Sequence, residues 1–175
     1  MLIIGTQIIC INLGDARAVL SRSGKSYELS VDYKASRKDE QERIKAQGGY
    51  IVFGRVLGRL AVTRAFGDFE CKQVKIQTDA GLTVERDFVL CEPEIRVTTV
   101  NAFTDDFLVL ASDGLYDRFS SAECIKFATK HFLKQGGLTE QDPQVVARYL
   151  VKEALNQRVN SDNTTVIVVA LGKGL

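Results

Sequence analysis

The sequence holds a single histidine, His131, among 175 residues, and that scarcity removes two kinds of chemistry at once. A histidine-based catalytic triad needs imidazole beside a nucleophile, and a histidine-containing zinc site needs it beside a cysteine set or a carboxylate cluster. His131 instead sits beside Phe132 in a stretch patterned as helix and reads as an ordinary helix residue. Phosphate-cradling loops are missing too. Gly48-Gly49 follows a helical pattern, and neither Gly-Lys-Ser/Thr nor Gly-x-Gly-x-x-Gly occurs, so nucleotide-dependent phosphoryl transfer has no support. The four cysteines, Cys10, Cys71, Cys91 and Cys124, form no Cys-x-x-Cys pair. They read as reduced thiols of a cytosolic-type compartment, cytoplasmic or nuclear.

Charge of one sign is lacking as well. The 23 basic and 22 acidic residues are dispersed along the chain, which advertises neither a nucleic-acid partner nor a membrane surface. No apolar run is long enough to span a bilayer. Met1-Leu2-Ile3-Ile4-Gly5 lacks the basic segment and cleavage site of a signal peptide and reads as an interior strand, so the chain is expected to begin inside a domain. There is no fixed-period repeat and no low-complexity tract. With 45% hydrophobic and 26% charged residues, the length supports one globular unit with its own core.

The patterning that is present predicts strands, a pair of helices and a final strand, an α+β layered fold. Residues 2–11 and 17–21, rich in Ile and Val, read as two antiparallel strands joined by the hairpin-like Asn12-Leu13-Gly14-Asp15-Ala16. Residues 37–47 read as a short solvent-facing helix, opened by the capping box Ser36-x-x-Asp39 and stopped by Gly48-Gly49. A second hairpin and an irregular turn are expected over 50–68, and a long surface loop over 71–87. Strand signals return at 94–100 and at the wholly apolar Phe107-Leu108-Val109-Leu110-Ala111, which should be buried on both faces. Two helices follow. The first runs over about 121–134, with Ser120-x-x-Glu123 as capping box and Gly136-Gly137 as stop. The second runs from Pro143 to about Gln157 with Asp142 as N-cap. Thr164 to Ala170 closes the sheet.

Carboxylates are the remaining candidates for chemistry. Asp113-Gly114-Leu115-Tyr116-Asp117 directly follows the buried strand, and Gly114 would let the backbone turn sharply so that two carboxylates four residues apart face one side. Asp162 precedes the last strand, and Asp15 lies in the first turn. Each alone also fits plain turn chemistry. Together, oxygen-only donors at strand ends suit magnesium or manganese.

At this point an ordered series of motifs resembles the type 2C metal-dependent protein serine/threonine phosphatases. The series runs through Asn12-Leu13-Gly14-Asp15-Ala16-Arg17, Gln41-Glu42-Arg43-Ile44 with Gly48-Gly49, Arg55-Val56 through Thr63-Arg64-Ala65-Phe66-Gly67-Asp68, Glu92-Pro93-Glu94, Ala111-Ser112-Asp113-Gly114-Leu115-Tyr116-Asp117, and Ser161-Asp162-Asn163-Thr164-Thr165. The resemblance implies a β-sandwich of antiparallel sheets flanked by helices, a four-layer αββα arrangement incomplete in this chain, which would be the C-terminal portion of one phosphatase catalytic domain (residues 1–175). It implies two core Mg2+ or Mn2+ ions, with Asp113 and Asp162 as ligands, and a further weaker ion helped by Asp15 and Asp117. These would act by position, in hydrolysis of phosphoserine or phosphothreonine in a phosphoprotein substrate by an activated water. The stretch over 69–87 would be the flap beside the site.

The family pattern also contains a phosphate-gripping arginine, a glutamate and an Asp-Gly-His-Gly motif that this sequence lacks, so no catalytic residue is certain in this chain. A missing N-terminal segment, or another chain, is expected to complete the sandwich. The alternative is a catalytically inactive relative, or a truncated chain, acting as a binding or scaffold module. The family's Asp-His-Lys-Pro is here Asp32-Tyr33-Lys34-Ala35, so the approach to the first helix is expected to differ.

Overall fold

The computed structural model describes residues 1–134, 142–156 and 162–171. In chain order its elements are β1 (Leu2–Ile4), β2 (Gln7–Asn12), β3 (Arg17–Arg22), β4 (Lys25–Glu28), α1 (Lys38–Ala46), β5 (Ile51–Val52), β6 (Arg55–Val56), β7 (Val74–Gln77), β8 (Thr83–Arg86), β9 (Glu94–Thr99), β10 (Asp105–Ala111), α2 (Asp113–Tyr116), α3 (Ser121–Lys134), α4 (Asp142–Asn156) and β11 (Val166–Ala170). They divide into two compact units. The first comprises residues 1–12, 16–31 and 95 onward, the second residues 13–15 and 32–94.

The first unit is organised by β10, whose apolar residues alternate between two cores. Phe107, Val109 and Ala111 join Val19 of β3 and pack on Cys124, Ile125, Ala128 and Phe132 of α3 and Val146, Leu150 and Ala154 of α4. Leu108 turns the other way, with Ala18 and Leu20, onto Ile8 and Cys10 of β2. Burial of each such large side chain stabilises by about 1.5–3 kcal/mol relative to exposure, so a strand apolar on both faces is held from both sides. The pairing makes a four-stranded antiparallel sheet, β11-β10-β3-β4, and a second sheet, β1-β2-β9. The result is the expected α+β architecture of antiparallel sheets flanked by helices. On β1-β2-β9 the outward face carries Leu2, Ile4, Ile11, Ile95 and Val97, with Ile4 and Ile95 each 61% exposed.

The expected hairpin through residues 12–16 is corrected here. Gly5 takes a positive φ of 56°, conformational freedom that folds the first apolar run back on itself, and β1 pairs with β2 in the register Leu2↔Ile9. β3 lies in the other sheet, because its apolar residues match those of β10, Leu20 opposite Leu108 and Val19 opposite Val109. Residues 12–16 therefore cross between sheets. At the start of α3 the expected capping box is present: the Ser120 N–H donates to Glu123 Oε2 at 2.9 Å, and the Glu123 N–H to Ser120 Oγ at 3.3 Å. α4 opens at Asp142 with Pro143 in its first turn. The Gly136-Gly137 stop and Gln157 lie outside the described residues.

The second unit packs α1 against two small hairpins, β5-β6 and β7-β8, around Ala35, Ile44, Val56, Cys71, Phe88 and Val89. The capping box at Ser36 does not form. Arg37 occupies the cap position without a side-chain cap hydrogen bond, and its guanidinium turns to Asp39 at 2.8 Å instead. The helix is also less solvent-facing than its composition predicts, since Glu40 and Ile44 are buried. Gly48, at φ 85°, and Gly49 end it as expected, their N–H groups bonding the Lys45 and Ile44 carbonyls. The long loop expected over 71–87 is instead the β7-β8 hairpin, Val74 opposite Arg86 and Ile76 opposite Val84. Val74 and Ile76 lean on the Phe88 core, and four-residue strands are too short to announce themselves by alternation.

Candidate metal centre

Asp113 begins where β10 ends. Ser112 stands at the cap of the single-turn α2 with extended backbone, but its hydroxyl does not cap that helix. It accepts the Thr165 N–H at 3.1 Å and donates to the Asn163 carbonyl at 3.3 Å, while the Ser112 N–H donates to the Thr165 carbonyl at 3.1 Å. These bonds extend the β10-β11 ladder past the last strand residues and draw the segment after Asp162 against the segment that opens with Asp113.

Gly114 completes the contact, for a reason other than the sharp turn expected of it. It does not take a positive φ and lies within α2. A β-carbon there would meet the Asn163 carbonyl oxygen at 2.6 Å and Thr164 Oγ1 at 2.7 Å. Only a residue without a side chain permits that approach. Asp113 and Asp162 are thus carried by two backbones in contact.

Asp117 follows one helical turn after Asp113, its N–H bonded to the Asp113 carbonyl at 2.7 Å. The turn between them is pinned from below. Leu115 and Tyr116 are buried, the Tyr116 hydroxyl donates to the Val109 carbonyl at 3.3 Å, and the Arg17 guanidinium lies 4.6 Å over the Tyr116 ring. Arg17 is steadied by Ser121 Oγ at 3.1 Å, which in turn donates to Glu28 at 2.7 Å. Asp113 is half-buried, and Asp117 and Asp162 are exposed. Asp162 Oδ1 accepts the Asn163 N–H at 2.7 Å.

Asp15 belongs to the second unit. It is half-buried, with Lys34 Nζ 3.9 Å from its Oδ2, and the neighbouring Gly14 carbonyl accepts the Tyr33 N–H at 2.9 Å. Tyr33, which stands where the family pattern has histidine, is buried between two guanidinium groups, Arg37 at 4.2 Å and Arg64 at 4.0 Å. Arg64 also reaches Glu40, which is 2% exposed and shared with Arg43. Burial alone would push the Glu40 carboxyl up, but hydrogen bonds from Arg43, Arg64 and Thr63 outweigh it and lower the pKa to about 2. This hub ties α1 to the segment through Thr63 and Arg64. Its arginines stand within the ordered motifs, but nothing in their spacing announces the hub.

In chemical terms, Asp113, Asp117 and Asp162 offer oxygen donors only, on short segments locked to the ends of β10 and β11. That donor set fits a hard divalent cation. Among the described residues, however, no group of three or more His, Cys, Asp or Glu side chains is placed to hold an ion, so these aspartates are at most a partial set.

A layered α+β fold with acidic residues at the ends of its central strands is the frame of the candidate site, and comparison with known proteins identifies the family. The sequence profile of protein phosphatase 2C matches residues 1–163. A rice (Oryza sativa subsp. japonica) protein named "Probable protein phosphatase 2C 11" is 38% identical over 172 residues, covering 98% of this chain and 46% of the relative. "Protein phosphatase 2C homolog 2" of Schizosaccharomyces pombe is 36% identical, covering 99% and 46%. Among solved structures, a Toxoplasma gondii phosphatase superposes with a TM-score of 0.76 at 29% identity, covering 95% of this chain and 48% of that one. A Caenorhabditis elegans sex-determining protein, at 20% identity and TM-score 0.74, shares the fold. The chain belongs to the protein phosphatase 2C family, a family of metal-dependent phosphatases, and spans about half the length of the curated relatives it matches.

Proposed function

We propose that this chain is the C-terminal portion of a catalytic domain that hydrolyses phosphoserine and phosphothreonine in protein substrates, and that Asp113 and Asp162 are ligands of its core magnesium or manganese ions. The observation that carries this reading is the Gly114–Asn163 approach. It requires a glycine at position 114 unless the Asn163 backbone shifts, and it sets two acidic segments side by side. When bound, two such ions supply charge neutralisation for a phosphate dianion and acidify a water. The chain's own part is positional. Ser112 locks the two segments, Tyr116 and Arg17 fix the turn that carries Asp113 and Asp117, and Asp117 would serve an outer, weaker ion; Asp15 is proposed as an ion ligand on the family resemblance alone.

The exposed apolar face of β1-β2-β9 supports completion of the sandwich by further sequence or by another chain, since a contiguous apolar sheet face is not left in water. The four cysteines form no disulfide, in keeping with a reducing compartment, cytoplasmic or nuclear. The test is hydrolysis of a phosphothreonine peptide by the full-length protein. Stimulation by manganese and loss on chelation are expected. Turnover indifferent to chelation, or none with any divalent ion, would overturn the reading in favour of a binding module.

A further inference from the structure

A second concave site lies in the first unit, between the β3-β4 turn and the outer face of α3. It is a cavity of about 470 Å³ lined by Gly24, Lys126, Thr129, Lys130 and Leu133, within the size range of sites that hold small ligands or short peptide segments. The α3 residues stand at i, i+3, i+4 and i+7, hence on one face of the helix. Leu133 is 71% exposed at its end.

Three features of this groove are independent of one another. The first is charge. Lys126 and Lys130 stand one turn apart, and no acidic side chain among the described residues pairs with either ammonium. Two like charges at that spacing disfavour the free helix slightly, an arrangement that an anionic partner reverses. The second is apolar surface: Leu133 lies exposed beside the two lysine stems, area that a partner would cover. The third is rigidity. The opposite wall is held by Asp106, whose Oδ2 accepts Ser21 Oγ at 3.0 Å and the Gly24 N–H at 3.3 Å. That carboxylate is occupied by the turn, and the wall is preformed, which lowers the ordering cost of binding.

We propose that this groove docks an acidic peptide segment of a protein partner. An aliphatic side chain of the segment would lie on Leu133 and the lysine stems, and flanking carboxylates would meet Lys126 and Lys130. Leu133 and the methylene stems give the groove an apolar floor that a bare phosphate or other free anion would leave unused, which is why a peptide is the occupant. The site serves recruitment and is separate in its chemistry from the acidic residues at Asp113 and Asp162, so it stands whether or not the hydrolytic reading does.

The test uses the full-length protein and fluorescence anisotropy of a labelled peptide alternating glutamate with leucine, compared with peptides in which serine or lysine replaces glutamate. Saturable binding of the acidic peptide alone is expected, weakened by salt. Lys126→Glu with Lys130→Glu should lower affinity at least ~10-fold, with hydrolysis of a small phosphate ester unchanged from the parent. Should charge reversal unfold the protein, as read by its thermal melt, Lys126→Gln with Lys130→Gln provides the same comparison. Equal binding of the serine peptide, an affinity indifferent to both double substitutions, or full displacement of the peptide by inorganic phosphate or by anionic vesicles would overturn the proposal.

Discussion

Gly114 and Asn163 approach so closely that a β-carbon on the first would stand 2.6 Å from the carbonyl oxygen of the second. The atom in the way is backbone, anchored by the Ser112 hydroxyl and by the β10-β11 ladder, so it cannot swing aside as a flexible side chain would. Gly114→Ala should therefore push the two acidic segments apart. The expected cost is about 1–3 kcal/mol, read as a lowered thermal midpoint of the full-length protein. A rise in the manganese concentration needed for half-maximal activity should accompany it. An alanine variant that matches the parent in both measurements would show that the contact does not position the aspartates.

Glu40 makes a separate prediction about acid stability. Its folded pKa of about 2 lies below the ordinary value of 4.5. Its stabilisation is therefore present above the unfolded value and is lost as pH falls from about 4.5 toward 2. Glu40→Gln should flatten stability over that window. At neutral pH it should destabilise by on the order of 3 kcal/mol, because Arg43 and Arg64 would then face each other without their shared carboxylate. Denaturant melts across pH 2–7 check this, and an unchanged acid limb would contradict it.

The cysteines differ in reach. Burial pushes the Cys124 thiol up to about 12, whereas Cys91 is exposed and 3.0 Å from Lys72 Nζ. Alkylation of the native protein near pH 8 followed by peptide mapping should label Cys91 first. Cys10, Cys71 and Cys124 should react only on unfolding. Early labelling of Cys124 would contradict the packing of α3 on β10.

Much of this was legible in the residues. The wholly apolar 107–111 run could only be a strand buried on both faces, and the Ser120/Glu123 capping box marked a helix start that forms as read. What escaped was long-range. The Asn12–Ala16 segment has hairpin chemistry, yet β3 pairs with β10, some ninety residues away, because two strongly apolar strands stabilise each other more than a local turn does. Gly114 was noticed for the wrong property, since a turn glycine and a close-approach glycine look alike until the opposing backbone is seen. Asp113 and Asp162 were singled out from their places at strand ends, but the Ser112 hydroxyl that locks their segments has no signature in spacing. The Glu40 hub was hidden in the same way, by charges that look like a solvated helix face until Arg64 folds back onto them.

The central claim is that Asp113 holds a core ion and Asp117 an outer one. It is tested most directly by manganese titration of phosphothreonine-peptide hydrolysis in the full-length protein and its Asp113→Asn and Asp117→Asn variants. Asp113→Asn should abolish activity at every manganese concentration, with Asp117→Asn keeping turnover at a raised manganese requirement. Activity of Asp113→Asn equal to that of the parent would contradict the account.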